Sequence, residues 1–155
     1  MSFKKVGFQV AIALLISLLI AGCGGDSSEG DNGNNGADFL TYKGVTYAED
    51  NQNIFVTATN PGTGLLIGMT QSSPYLIVSL KTAGTAAGDY PVDAGNTLVA
   101  VTEGGVVWAS TAGSISLATS GGAGSRISGT YAVTIRDPNA NTQDVSGSFS
   151  VIRDY

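Results

Sequence analysis

The sequence predicts an all-β domain over residues 39–155, an antiparallel β-sandwich or barrel of about nine or ten strands. This region is rich in Val, Ile, Thr, Ser, Tyr and Gly, and β-branched and aromatic residues suit a pleated sheet. Short apolar runs are broken every several residues by Gly, Pro, Asn or Asp, and none shows helical spacing. We expect so many strands to fold into two layers or to close on themselves.

Turn residues delimit the predicted strands. Lys43-Gly44 and Glu103-Gly104-Gly105 indicate tight hairpins, and proline and glycine end other strands. Residues 82–95 are mostly small and indicate a long connection or a frayed edge. The predicted strands are Phe39–Lys43, Val45–Ala48, Ile54–Thr59, Leu65–Met69, Tyr75–Lys81, Asn96–Thr102, Val106–Thr111, Ser114–Thr119, Ile127–Arg136 and Gln143–Arg153.

The last two predicted strands show the clearest alternation of apolar and polar residues. Tyr131, Val133 and Ile135 fall on one face of their strand, and Val145, Gly147, Phe149 and Val151 share a face of the partner strand. Serine and threonine occupy most of the opposite faces. This period of two predicts a sheet with one face in the core and the other in solvent. The same alternation predicts that the following residues face the core: Leu76, Val78, Leu80, Val99, Val101, Ile115 and Leu117.

The amino-terminal segment has the layout of an export signal. Lys4 and Lys5 precede an uncharged run, Val6–Cys23, that ends in small residues. Ile20-Ala21-Gly22-Cys23 resembles the lipobox of bacterial lipoproteins. The resemblance implies diacylglyceryl transfer to Cys23, cleavage after Gly22 and acylation of the new amino terminus, which together anchor a protein stably. The alternative is an uncleaved signal anchor in which Cys23 is an ordinary thiol.

These features divide the chain into a lipoprotein signal peptide with a helical apolar run (1–22), a lipidated cysteine with a flexible linker (23–38) and one β-domain (39–155). The linker contains almost only Gly, Ser, Asn, Asp and Glu, so we expect a disordered tether with a span of about 20 Å. Gly24 stands where many Gram-negative lipoproteins of the inner membrane have aspartate. By that resemblance, the outer membrane is favoured.

The β-domain itself has a second resemblance. The phrases GTAAGDYPV, GSISLAT, RISGTYAVTIRD and VSGSFSVIR occur in that order and resemble small uncharacterised β-rich bacterial lipoproteins. In those proteins a strand with Gly-Thr-Phe/Tyr pairs with a closing Gly-x-Phe strand. The resemblance implies a fold and no activity.

Composition excludes several classes of function. Cys23 is the only cysteine and there is no histidine, so neither a disulfide nor the commonest general base and metal ligand is available. Without residues 1–22 the chain keeps five of its seven basic residues and all twelve acidic ones, a formal net charge of −7. Such a chain has no electrostatic footprint for nucleic acid. We also expect no cofactor.

Oxygen-bearing side chains are spaced like calcium ligands in the turn before the last strand. Asp137, Asn139, Asn141 and Asp144 begin like an EF-hand loop, but the loop's glycine and closing glutamate are missing. Because Asp, Pro and Asn also build hairpin turns, a turn is the favoured interpretation. Glu49–Asn53 is a second candidate of this kind, and a turn is the favoured interpretation there as well.

Trp108 is the one candidate for ligand binding. It lies in a predicted strand and is either a platform for stacking a sugar ring or a core residue. Tyr42, Tyr47, Tyr75 and Tyr90 are the candidates for an aromatic face shared with Trp108. No nucleophile–base pair, phosphate loop or paired catalytic carboxylate is evident, so the chain is not expected to be an enzyme. The leading hypothesis is a lipid-anchored envelope protein with a structural or interaction β-domain, whose partner is an envelope protein or glycan, and the alternative is a ligand-binding lipoprotein.

Overall fold

A computed structural model describes residues 37–49, 54–59, 64–93 and 95–154, and it confirms the all-β prediction. Within these residues there is no helix, so none there could cross a lipid bilayer. The predicted signal peptide, Gly22, Cys23 and most of the linker lie outside the described residues. The strands are β1 (Phe39–Tyr42), β2 (Val45–Ala48), β3 (Ile54–Thr59), β4 (Leu66–Ser72), β5 (Tyr75–Lys81), β6 (Gly88–Pro91), β7 (Leu98–Glu103), β8 (Val106–Thr119), β9 (Arg126–Arg136) and β10 (Thr142–Ile152).

The strands form one curled antiparallel sheet, a half-barrel. Its order is β2-β1-β10-β9-β8-β7-β5-β4-β3, and β6 pairs with the second half of β8. The far edge, β3, returns toward the carboxyl-terminal end of β10. There Ala58 and Arg153 form an isolated parallel bridge, and the Asp154 amide donates to the Ala58 carbonyl at 2.9 Å. This bridge brings the two sides of the curled sheet together.

The concave face of the sheet holds the core, and every apolar side chain predicted to point inward belongs to it; Gly147, predicted on the same face, has no side chain to contribute. The cluster includes Leu76, Val78, Leu80, Val99, Val101, Ile115, Leu117, Tyr131, Val133, Ile135, Val145, Phe149 and Val151. The alternation therefore predicted the buried face correctly. Tyr42, Tyr131 and Phe149 are among the largest fully buried side chains. These rings belong to the core on the concave face.

Two reciprocal glycine–aromatic pairs join β9 to β10. Gly129 lies opposite Phe149, and Gly147 lies opposite Tyr131. An ideal Cβ on Gly129 would be 2.6 Å from Cζ of Phe149, and one on Gly147 would be 2.7 Å from Cε1 of Tyr131. Each ring therefore lies over the bare backbone of the glycine across the ladder. This geometry explains why the Gly-Thr-Tyr and Gly-Ser-Phe phrases occur together.

The fold departs from the predicted strands in the region of β6 and β8. Residues 88–91, predicted as connection or frayed edge, form a short strand on β8. The two strands predicted on either side of Ala112-Gly113 are one strand, β8. Its register shifts between Ser110 and Ala112, and Gly113, with φ +104°, still pairs with Val133. Beside this bulge, the Ser110 hydroxyl accepts a hydrogen bond of 2.9 Å from the Val99 amide.

Candidate functional site: the hairpin end

Hairpin turns gather at one end of the sheet. Leu76 pairs with Glu103, and Glu103 pairs with Val106, so the β4–β5 and β7–β8 turns lie together. Ala109 pairs with Arg136, which brings the β9–β10 turn to the same end. We call this surface the hairpin end and define it by the turns Lys43-Gly44, Ser73-Pro74, Gly104-Gly105 and 137–141.

Two of these turns have the backbone that a two-residue hairpin requires. Lys43 and Gly44 have φ +49° and +75°, and Gly104 and Gly105 have φ +57° and +80°. Positive φ at both central residues matches the right-handed twist of the flanking strands. Lys43 is the one of the four that has a side chain. It lies at the tip of the β1–β2 turn.

Lys43 joins the β1–β2 turn to the β7–β8 hairpin. Its Nζ lies 2.7 Å from Oε2 of Glu103 and 5.2 Å from the centroid of the Tyr42 ring. The Tyr42 hydroxyl donates to the same carboxylate oxygen at 3.1 Å. Burial, and to a smaller extent the neighbouring Glu103 carboxylate, raise the pKa of Tyr42 above its ordinary value. The Tyr42 hydroxyl therefore remains a neutral donor. The side chains of Lys43 and Glu103 are 40% and 43% exposed, so this ion pair contributes little to stability.

The exposed large apolar side chains of the described residues all lie beside this cluster. They are Val45, Tyr75 and Val106, which are 51%, 48% and 40% exposed. Val45 is opposite Tyr42, and Val106 is opposite Glu103. Tyr75 directly precedes the β5 residue that pairs with Glu103. Single exposed apolar residues are ordinary, but their concentration at one end of a molecule is typical of an interaction surface.

Trp108 lies on the inner side of the same end. It pairs with Val101 in β7, and its partly buried ring packs against the core. Glu103 is two residues beyond Val101 and therefore shares its face, as a diagonal neighbour of Trp108. Trp108 is thus a partly buried residue at the edge of the core, next to Glu103.

The four candidate tyrosines divide into two groups. Tyr42 and Tyr75 lie at the hairpin end with Trp108, as described above. Tyr47 pairs with Leu40, and Tyr90 pairs with Ile115 and donates from its hydroxyl to the Ala86 carbonyl at 2.7 Å. Both are partly buried and pack against the core. The sequence did not indicate a functional role for Lys43 or Glu103, because both residues fall in predicted turns.

The oxygens of the calcium candidate are engaged in the turn. The Asp137 carboxylate accepts from the amide and the side chain of Asn141, both at 2.8 Å. Its pKa is lowered, because these and other hydrogen bonds outweigh the raising effect of its burial. Asp144 accepts from the Thr134 hydroxyl at 2.7 Å, and Asn139 is exposed. Among the described residues, no group of three or more Asp, Glu, His or Cys side chains could hold a metal ion. Of the second calcium candidate, Glu49 is described and residues 50–53 are not.

Another turn uses its carboxylate in the same way, at the end of the sheet opposite the hairpins. Asp93 Oδ1 accepts from the backbone amides of Thr97, Asn96 and Gly95 at 3.0, 2.6 and 3.2 Å. The amides of Thr97 and Asn96 contribute most to lowering the pKa of Asp93, which is about 2. This is an Asx-type turn, and among the described residues it provides a carboxylate whose hydrogen bonds are sensitive to acid.

A shallow groove opens beside the bulge of β8. It has a volume of about 300 Å³ and is lined by Gly113, Ala132, Val133, Thr134, Asp144, Val145 and Ser146. Its lining side chains are small, and the carboxylate of Asp144 already accepts from Thr134. The groove offers neither an aromatic ring nor a free donor–acceptor pair comparable with that of the hairpin end.

The chain enters the sheet at the end opposite the hairpins. Phe39 pairs with Ser150, close to the end of β10. Asp38, the last residue of the predicted linker, forms an ion pair with Arg126 at 3.0 Å and accepts from the Ile152 amide at 2.9 Å. The side chains of Arg126 and Asp38 are only 16% and 12% exposed. These contacts fasten the start of the domain to the side away from the hairpin end.

Comparison with known proteins adds no further assignment: no family model, curated protein or solved structure matches this chain.

Proposed function

We propose that this chain is a lipid-anchored protein of the cell envelope, held in the outer membrane of a Gram-negative bacterium through Cys23. Its β-domain is a non-catalytic interaction module, and its hairpin end makes the contact with an envelope partner. The lipobox Ile20-Ala21-Gly22-Cys23 supports the anchor, and the polar linker that follows it supports a tether.

One observation carries the interaction role. The described domain has its exposed large apolar side chains, Val45, Tyr75 and Val106, at the end opposite Asp38, where the linker joins. A tether attached at one end leaves the other end free to meet a partner. The filled concave face favours a surface contact over a ligand carried inside the sheet.

Position-selective photocrosslinking tests this proposal in intact envelopes. A photoreactive residue at Val106 or Tyr75 should capture a partner of defined mass, because these side chains lie on the contacting end. The same residue at Thr130, which is exposed on the outer face of β9, is the matched control and should capture none. Equal capture at all three positions, or capture at Thr130 alone, would contradict the assignment of the hairpin end.

A further inference from the structure

We propose that the hairpin end binds a neutral saccharide, with Trp108 as the stacking ring and Glu103 and Lys43 as the hydroxyl-binding pair. The inference rests on the proposed function, because it names the chemical class of partner for the same surface.

Glu103 and Lys43 present an acceptor and a donor side by side. Both hydrogen bonds that the described residues give to this carboxylate reach Oε2, which leaves the lone pairs of Oε1 for a ligand. An ammonium group has three donors, and one of those on Lys43 is used by Glu103. Sugar hydroxyls donate and accept at adjacent carbons, and bonds to ionised groups are the strongest that they make.

The aromatic part of the site is rigid. Trp108 is held against the core and opposite Val101, so little side-chain freedom is lost when a ligand packs on it. The C–H bonds on the flat face of a sugar ring carry partial positive charge and pack on the negative face of an aromatic ring. A fixed ring next to a few polar groups is the usual composition of a small-ligand site.

Charge favours a neutral ligand. Lys43 and Glu103 cancel each other at the hairpin end, so this surface does not attract a strongly charged polymer. The proposed mature chain has five basic and twelve acidic residues, a formal net charge of −7, and therefore repels anionic polymers and anionic headgroups.

The chain contains a single tryptophan, so its fluorescence reports directly on the proposed site. The full-length lipidated protein, in a zwitterionic detergent that contains no sugar, is titrated with the tetramer of N-acetylglucosamine and with the β-linked tetramer of glucose. We expect a saturable change in Trp108 emission with at least one of them. Glu103→Gln should weaken binding roughly tenfold or more, because a hydrogen bond to a charged group is lost, and Lys43→Met should weaken it in the same direction.

Asp89→Asn is the matched control. Asp89 is exposed and bonds Ser116 on the opposite half of β8, so this variant should bind as the unaltered chain does. Melting curves of all three variants show whether each is folded, and Lys43→Arg provides a variant that keeps the charge and should retain binding. Equal affinity of Glu103→Gln and Asp89→Asn would overturn the assignment of the pair.

A titration with no saturable response to either tetrasaccharide would overturn the saccharide proposal. If Val106 still captured an envelope protein selectively, the proposed interaction function would stand with a protein as the partner. If neither saccharide binding nor selective capture occurred, both proposals would fail.

Discussion

Replacing Phe149 by alanine should remove one of the two buried aromatic rings that pack across β9 and β10. The ring is 1% exposed and lies on Gly129. A buried aromatic side chain removes about 200 Å² from water, which corresponds to about 5 kcal/mol at roughly 25 cal/mol/Å². Because alanine retains part of that contact, we expect Phe149→Ala to lower the free energy of unfolding by about 3–5 kcal/mol.

Denaturant unfolding followed by near-ultraviolet circular dichroism measures this loss. Most domains are stable by only about 5–15 kcal/mol, so the midpoint should move clearly. Ser146→Ala, on the outward face of the same strand and exposed, is the matched control and should change stability by less than about 0.5 kcal/mol. Equal and small effects at both positions would refute a buried β9–β10 hairpin.

Gly129→Ala tests the same contact from the other strand. The added Cβ would meet Cζ of Phe149 at 2.6 Å and also the backbone oxygen of Ser116, so overpacking should cost about 1–3 kcal/mol or more. In the double variant with Phe149→Ala, the ring contact disappears but the backbone contact stays. The combined loss should therefore be smaller than the sum of the two single losses. Strict additivity would show that the ring does not lie on Gly129.

The remaining predictions concern one packing contact and two pH limits. Gly147→Ala should lower the melting temperature, because its Cβ would meet the Tyr131 ring at 2.7 Å, whereas Gly95→Ala, with open space around it, should have little effect. The folded pKa of Asp93, about 2, lies below its ordinary value of 3.8, so its stabilisation is complete above about pH 4 and is lost as the pH falls through about 2. The stability difference between Asp93→Ala and the unaltered chain should shrink over that interval, and a constant difference would contradict the hydrogen-bonded turn. Burial raises the pKa of Tyr42 and Tyr131 above the ordinary 10.0. Stability should therefore fall as the pH rises above about 10, with less loss in Tyr42→Phe, and an unchanged alkaline profile in that variant would count against the buried hydroxyl.

The inward faces of the long strands were predictable because alternation alone determines them. Val145, Gly147, Phe149 and Val151 occupy every second position. Because one face of the strand is buried, a shift of one residue would move all of these residues to the solvent face. The tight turns were also predictable, since Lys43-Gly44 and Gly104-Gly105 are short and contain glycine. Alternation and turn chemistry depend only on neighbouring residues, so both can be read directly from the sequence.

The departures from the predicted strands arise from pairing between strands, which the local sequence pattern does not reveal. Residues 88–91 are small and polar, and they form β6 only because the second half of β8 offers a free edge. Gly113 is a residue typical of turns, but in the structure it pairs with Val133 just after the bulge between Ser110 and Ala112, and β8 continues through it. In both cases tertiary pairing overrides a weak local preference.

The candidate site was less predictable than the fold. Tyr42 and Glu103 are separated by 61 residues, and nothing in either segment indicates that they meet. Trp108 was identified from its chemistry, but its position at the rim beside Glu103 follows from the β7–β8 register. Curling of the sheet brings Lys43 across to this hairpin, and curling depends on the whole set of strands.

The intact mass of the chain extracted from membranes tests the anchor on which the proposed function depends. If Ile20-Ala21-Gly22-Cys23 is a lipobox, the mature protein should begin at Cys23 and carry acyl chains, and Cys23→Ser should accumulate as an unprocessed precursor. A mature protein with a free thiol at Cys23, or a chain that still begins at Met1, would contradict the proposal.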